Sequence, residues 1–259
     1  MVTVMATAMV MATAMVTKIN QMGIFNLFKK RYSLEQSGVL DGFVDRHSHI
    51  LFGVDDGIKS SEDSLSVLSY IESLGVKELW CTPHIMEDVP NTTQALKARF
   101  DELSNLYKGK ISLHLAAEYM IDTLFEERLQ KRDLLTMEDD MLLMETSTIT
   151  PPYDLKASLK AAMSAGYRPV FAHPERCRFL DVKDCEEIVS MGVRLQLNIA
   201  SLTGFYGEST KVKAEALLKK GLYFVAGSDC HRERVLREQY SRAILDKEVI
   251  NKLKSIAQV

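Results

Sequence analysis

The chain has 259 residues, 46% hydrophobic and 26% charged, enough to bury a sizeable core in one large domain or two small ones. Lys plus Arg number 32 against 35 Asp plus Glu, a net charge of −3, so no global basic field exists to draw in nucleic acid. Cys81, Cys177, Cys185 and Cys230 show no regular spacing and no C-x-x-C, which argues against a disulfide framework and for a reducing, cytoplasmic setting. Residues 1–17, MVTVMATAMVMATAMVT, use only Met, Val, Thr and Ala. They lack the basic start of a secretory signal and are short for a membrane span. Residues 1–40 are expected to be a poorly ordered extension and 41–259 the folded domain. Within the extension, FNLFKKRY reads as a solvated linker with at most weak peripheral membrane contact.

From residue 41 the chain alternates between two kinds of pattern. Apolar, β-rich runs fall at 43–50, 76–82, 111–117, 141–146, 168–172, 193–199 and 222–228. Helical patterns lie between them. Leu65, Leu68, Ile71 and Leu74 recur through 61–74, where Ser60 and Asp63 form a capping box. Asn91 is placed to cap 92–108, Asp154 leads a helix to Gly166, and 209–220 stops at Gly221. Seven strand-helix units predict a parallel α/β fold, either a TIM-like barrel one unit short or an open doubly wound sheet.

The residues that follow each run are chemically selected. His47 and His49 alternate along the first strand, so both point to one face, with Asp55 and Asp56 just beyond. Later strands run into Thr82-Pro83-His84, Glu118, Glu145, His173, Gln196 and Asn198, and Ser228-Asp229-Cys230-His231. An isolated His-x-His is an unremarkable surface-strand pattern, but polar residues at seven strand ends are not scattered, and parallel α/β folds do their chemistry at those ends. Only His114 lies inside a strand, and it is read as structural or exposed. Mixed imidazole and carboxylate donors suit Mn, Fe or Zn, and their number exceeds what one ion needs. Clustered divalent ions are the usual equipment for hydrolysing phosphate esters. No Walker loop, dinucleotide fingerprint or C-x₅-R loop is present, so a cysteine nucleophile is not supported.

The stretches DRHSHILFGVDDGIKSSEDSL, CTPHIM, AAEYM, LLMETS, FAHPERC, LQLNIASLTGFYG and AGSDCH together resemble the PHP (polymerase and histidinol phosphatase) superfamily. Within it they resemble the bacterial protein-tyrosine phosphatases associated with capsular and exopolysaccharide synthesis, over about residues 41–245. The resemblance implies a distorted seven-stranded β/α barrel and a trinuclear metal centre, often manganese. It implies hydrolysis of phosphotyrosine, typically on the tyrosine-rich tail of a membrane-bound kinase of polysaccharide export. It also assigns metal ligation to His47, His49, Asp56, His84, Glu118, Glu145, His173, Asp229 and His231, with Asp55 competing with Asp56. Arg176 corresponds to the arginine that holds the substrate phosphate. A second phosphate-binding arginine follows the last motif, a role for which Arg232, Arg234 and Arg237 compete. Arg46 departs from the pattern, where relatives carry an apolar residue; by alternation it points off the metal face and is expected to pair with an outer-helix carboxylate.

Two other functions fit the same residues. One is hydrolysis of a small phosphomonoester such as histidinol phosphate on the same metal site. The other is a non-catalytic metal-binding or kinase-docking module, against which the complete ligand set argues.

Overall fold

The computed structural model describes residues 30–259. Its strands, in chain order, are β1 (Val44–Ser48), β2 (Glu78–Cys81), β3 (His84–Ile85), β4 (Ser112–Leu115) and β5 (Glu118–Met120), then β6 (Met141–Glu145), β7 (Arg168–Ala172), β8 (Arg194–Asn198) and β9 (Tyr223–Gly227). All pairings between them are parallel. Each of the seven expected runs contains a strand, but two of the runs contribute a further short one downstream. Pro83, which has no N–H to give a ladder, separates β2 from β3, and Ala116-Ala117 separates β4 from β5. The ladder therefore divides into a three-stranded sheet, β1-β2-β4, and a six-stranded sheet, β3-β5-β6-β7-β8-β9.

Backbone hydrogen bonds bridge the division. Ala116 N–H donates to Cys81 O at 2.9 Å and Glu118 N–H to Pro83 O at 3.1 Å. At the other edge Asp229 N–H donates to His47 O at 2.8 Å and His49 N–H to Cys230 O at 3.0 Å, tying the end of β9 to β1. Gly227 permits this approach: a Cβ there would lie 2.4 Å from His47 Cβ.

The helices are α1 (Leu34–Ser37), α2 (Ser61–Ser73), α3 (Thr93–Leu106), α4 (Thr123–Lys131), α5 (Leu155–Ser164), α6 (Val182–Ser190), α7 (Glu208–Lys220), α8 (Glu233–Ser241) and α9 (Lys247–Lys254). Ser60 caps α2 by accepting from Asp63 N–H, and Asp154 caps α5 by accepting from Ala157 N–H. For α3 the cap is Thr92, one residue later than expected, because the Asn91 amide is used elsewhere and donates to Val54 O and His84 O. Gly221 ends α7 in the left-handed conformation that only glycine adopts without cost.

Leu68, Ile71, Leu103, Leu159, Ile188 and Leu217 from the helices bury against Leu79, Leu142, Phe171 and Leu195 of the strands in one large core. A smaller cluster is built mainly from strand residues, among them Val44, Trp80, Leu143, Val170 and Val225. Each fully buried aliphatic side chain contributes about 1.5–3 kcal/mol relative to exposure.

The expected domain boundary at residue 41 falls too late. Tyr32 pairs with Leu245, Ser33 caps α1, and Leu34, Val39 and Leu40 are buried in the main core. Leu34, Val39 and Leu40 are irregularly spaced in a short segment and so carry no periodic signal of their own. The reading of residues 1–29 as an extension lies outside the described residues, as does all of FNLFKKRY except Lys30–Tyr32. Among the described residues no helix is long and apolar enough to cross a membrane.

Candidate metal centre

The strand ends converge on one buried cluster. His47 Nε2 and His49 Nε2 lie 3.1 Å apart, and Glu118 Oε2 lies 3.1 Å from the first and 3.3 Å from the second. Asp229 Oδ1 approaches the same two nitrogens at 3.5 and 3.4 Å. His84 Nδ1 sits 3.2 Å from Glu118 Oε2 and 3.0 Å from Glu145 Oε1. His173 Nε2 faces the other Glu118 oxygen at 3.0 Å. Asp56 Oδ1 reaches His231 Nε2 at 3.3 Å and His84 Nε2 at 3.5 Å. All nine residues expected as ligands are thereby brought together, in four overlapping groups whose donor atoms lie within 4.8 Å of one another. His47, His49, Glu118 and His173 are buried, whereas the Asp56 side chain is 71% exposed, so the cluster opens to solvent on the Asp56–His231 side.

The surroundings determine which way the histidines face. Gln196 Oε1 accepts from His173 N–H, and its Nε2 donates to Leu197 O, so the amide is oriented by the backbone. His47 Nδ1, 3.1 Å from that oxygen, is therefore the N–H, and in the neutral ring Nε2 keeps a lone pair aimed into the cluster. His49 is fixed in the same way by Asp55 Oδ2, 2.8 Å from its Nδ1. The Nε2 atoms of His47 and His49 and Glu118 Oε2 thus meet within about a hydrogen-bond length of one another. Glu118 Oε2, Glu145 Oε1, His84 Nδ1 and His173 Nδ1 are buried without a hydrogen bond. Orphaned buried polar atoms cost free energy unless something binds them. Divalent cations fit this donor set.

The electrostatics agree. Burial pushes His47 and His49 down, but the carboxylates around them win: Glu118 and Asp229 raise His47, and Asp229, Asp55 and Glu118 raise His49 well above its ordinary value. Burial opposes ionisation of Glu118, yet His47, His173 and His49 hold it well below the usual range, and His47, His49 and Arg176 do the same for Asp229. His231, beside Asp56, holds that carboxyl low as well. Positive charge is wanted at every point of the cluster. His173 and Asp229 also adopt left-handed backbone, φ 34° and 52°, a strained geometry that packed functional sites maintain.

Asp55 does not compete for the ligand role. Its carboxylate is spent on His49 Nδ1, Gly57 N–H and His84 N–H. Asp55, read from the sequence as a competing ligand, and Gln196, which the sequence left without a role, are therefore the orienting residues, and such outer partners set ligand geometry. Arg46 does not meet an outer-helix carboxylate: β1 is irregular between Asp45 and Ser48, and the guanidinium lies over Trp80, paired with Glu138 in the turn before β6 and with Val259 O. His114 stacks on Trp80 away from the cluster.

A cavity of about 280 Å³ opens above the cluster, lined by Arg176, Tyr206, Asp229, His231 and Arg232. Arg176 Nη1 donates to Asp229 Oδ2 at 2.6 Å, and its guanidinium lies 4.4 Å from the Tyr206 ring centroid. Of the three arginines after the last motif, Arg232 alone lines this cavity. Arg237 is held by Glu233 and stacks on Tyr70, and the Arg234 side chain, 86% exposed, sits 3.9 Å from Glu238. Cys81 and Cys177 are buried thiols that burial pushes up to about 12, so neither supplies a thiolate.

Fold and site together define a parallel α/β protein with a multi-histidine, multi-carboxylate candidate metal centre at its strand ends. The chain belongs to the family described as "Capsular polysaccharide synthesis, CpsB/CapC", whose profile matches residues 43–252. The tyrosine-protein phosphatase YwqE of Bacillus subtilis is 30% identical over 214 residues, 79% of this chain and 84% of that one. The tyrosine-protein phosphatase CpsB of Streptococcus pneumoniae is 31% identical over 208 residues, 73% of this chain and 82% of its own length. A solved structure from work on YwqE and CpsB, described as "unique metal-dependent tyrosine phosphatases", matches with a TM-score of 0.70 at 26% identity, covering 83% of this chain and 88% of that one.

Proposed function

We propose that this chain is a metal-dependent protein-tyrosine phosphatase. The observation that carries the reading is the cavity itself: the Arg176 guanidinium and an aromatic wall lie over a cluster of imidazole and carboxylate donors. His47, His49, Asp56, His84, Glu118, Glu145, His173, Asp229 and His231 would hold three divalent ions, Mn²⁺ by preference, with Fe or Zn compatible with the same donors. Such ions supply a water-derived nucleophile near neutral pH and offset charge on the phosphoryl oxygens. The remaining work belongs to the chain. Arg176 offers a planar fork to two phosphate oxygens, and the Asp229 carboxylate and the Tyr206 ring pre-set its orientation. Arg232, with no ion-pair partner among the described residues, adds a second positive group at the mouth. Phe205, 44% exposed beside Tyr206, offers an apolar surface to the phenyl ring of the substrate.

The hydrogen bonds that run from β9 back to β1, and across the break between the two sheets, support a closed, distorted seven-unit barrel. Family membership and phosphatase relatives support a tyrosine kinase of the polysaccharide export system as physiological substrate, met in the cytoplasm. The deciding experiment compares a phosphotyrosine peptide with histidinol phosphate on the same metal-analysed sample. Turnover of the peptide in preference to the metabolite is expected; the reverse order would reassign the site to a small phosphomonoester.

A further inference from the structure

Three cavities meet on the face where the strands end. The central one holds the candidate metal ligands Asp229 and His231. A second, of about 420 Å³, shares Arg176 with it and runs between the Pro174–Arg176 turn and α7, past Arg178, Lys213 and the 57% exposed Val212. A third, of about 340 Å³, shares His231 and Arg232 and follows Gly57–Lys59 towards Arg234. Arg176 lines both the first and the second cavity, and His231 and Arg232 line both the first and the third, so the outer two flank the centre, as two arms of a trench would, at different residues. A phosphotyrosine side chain directed at the candidate ligands would occupy the centre. A free metabolite would leave both arms empty, whereas a polypeptide has chain on either side of the reacting residue to place in them.

The charge of the arms differs from that of the molecule. The chain carries −3 overall. The second cavity is nevertheless lined by Arg176, Arg178 and Lys213 against Glu175 and Asp181. The third is lined by Lys59, Arg232 and Arg234 against Asp63 and Glu233. Most of the acidic groups are already engaged. Glu175 is buried and accepts from Ser201, Tyr223 and the Asn198 N–H, Asp181 caps α6, and Glu233 is held by Arg237. Arg178 and Arg232 have no ion-pair partner among the described residues, and Lys213 is neutralised by no carboxylate, donating only to Cys177 O and Leu180 O.

We propose that the trench binds the extended polypeptide on both sides of the phosphotyrosine and favours acidic residues there. The inference rests on the phosphatase reading above and specifies its substrate. The test uses the full, metal-loaded chain with two phosphotyrosine peptides that differ only in carrying Asp/Glu or Lys/Arg around the tyrosine. The acid-flanked peptide should have a KM several-fold lower, a preference that fades as salt screens the arms. Arg178→Glu and Lys59→Gln should each raise the KM for that peptide by roughly threefold, as expected for exposed charge pairs. Turnover of a small aryl phosphate should be unchanged in both variants. Equal KM values for the two peptides at low salt would overturn the proposal, as would variants that slow the aryl phosphate as much as the peptide. Binding of the matching non-hydrolysable phosphonate peptides separates the two levels. Acid-selective binding without hydrolysis of any phosphotyrosine would sustain the trench and refute the phosphatase; hydrolysis without flank preference would do the opposite.

Discussion

Asp55 Oδ2 lies 2.8 Å from His49 Nδ1 and also accepts the backbone N–H of His84 at 3.0 Å, so one carboxylate sets the position of two candidate ligands, one just after β1 and one in β3. Asp55→Ala should leave the fold intact and lower metal affinity by about 10–100-fold, the usual effect of removing an outer partner of a ligating histidine. Metal titration alongside circular dichroism measures this, and unchanged affinity would show that His49 needs no such support.

The two adjacent aspartates illustrate what the sequence could and could not yield. Their presence after a His-x-His strand was legible, but which one turns inward depends on the path of the turn over residues 53–58, where Gly53 takes φ 69° and Gly57 packs against His49. The choice among Arg232, Arg234 and Arg237 likewise depends on the rotation of α8, which composition does not encode. The seven strand runs were legible because their apolar β-formers are continuous. Helices α4, α6, α8 and α9 escaped because each spans only 8 or 9 residues, too short for an apolar period to repeat clearly.

Metal removal should have a pH signature. In the metal-free protein burial and His49 lower His84, but Glu118 and Glu145 outweigh them and raise it from 6.5 to about 10. A raised folded-state value means that protonated His84 stabilises the fold fully below pH 6.5, and that this stabilisation is lost as pH climbs towards about 10. Divalent ions compete with protons for the same atoms and bind better as pH rises. The gap in melting temperature between metal-loaded and chelated protein should therefore widen across that window. A chelator should also abolish phosphatase activity, with recovery on adding Mn²⁺. A constant gap would mean that the cluster does not hold the ions.

Arg176→Lys keeps the charge and removes the fork. Losing one charge-assisted hydrogen bond, about 1.5–3 kcal/mol, should lower kcat/KM for phosphotyrosine roughly tenfold or more. Metal content should stay near normal, because Arg176 supplies no ligand atom. Metal lost in step with activity would instead make Arg176 a prop for Asp229.

Truncation separates the two parts of the N-terminus. Removing residues 1–21 is expected to leave metal content and turnover of small phosphoesters unchanged. A chain beginning at residue 41 loses Leu34, Val39 and Leu40, all buried. At about 1.5–3 kcal/mol for each buried side chain, this is a large share of a typical stability margin. Thermal melts of the two truncations should differ sharply, and equal melting temperatures would place residues 32–40 outside the cooperative fold.

The candidate ligands extend from His47 to His231, and the last of them reach the first only when the end of β9 hydrogen-bonds to β1. No fragment of the chain that stops short of residue 231 contains a whole site. Ions would therefore reward only completed molecules, with RT ln(1 + [L]/Kd) added to the native state and nothing to a nascent or clipped one. Ion supply would then govern how much intact protein persists against proteolysis as well as how fast it works, so scarcity would lower abundance before any change in the catalytic step itself is felt.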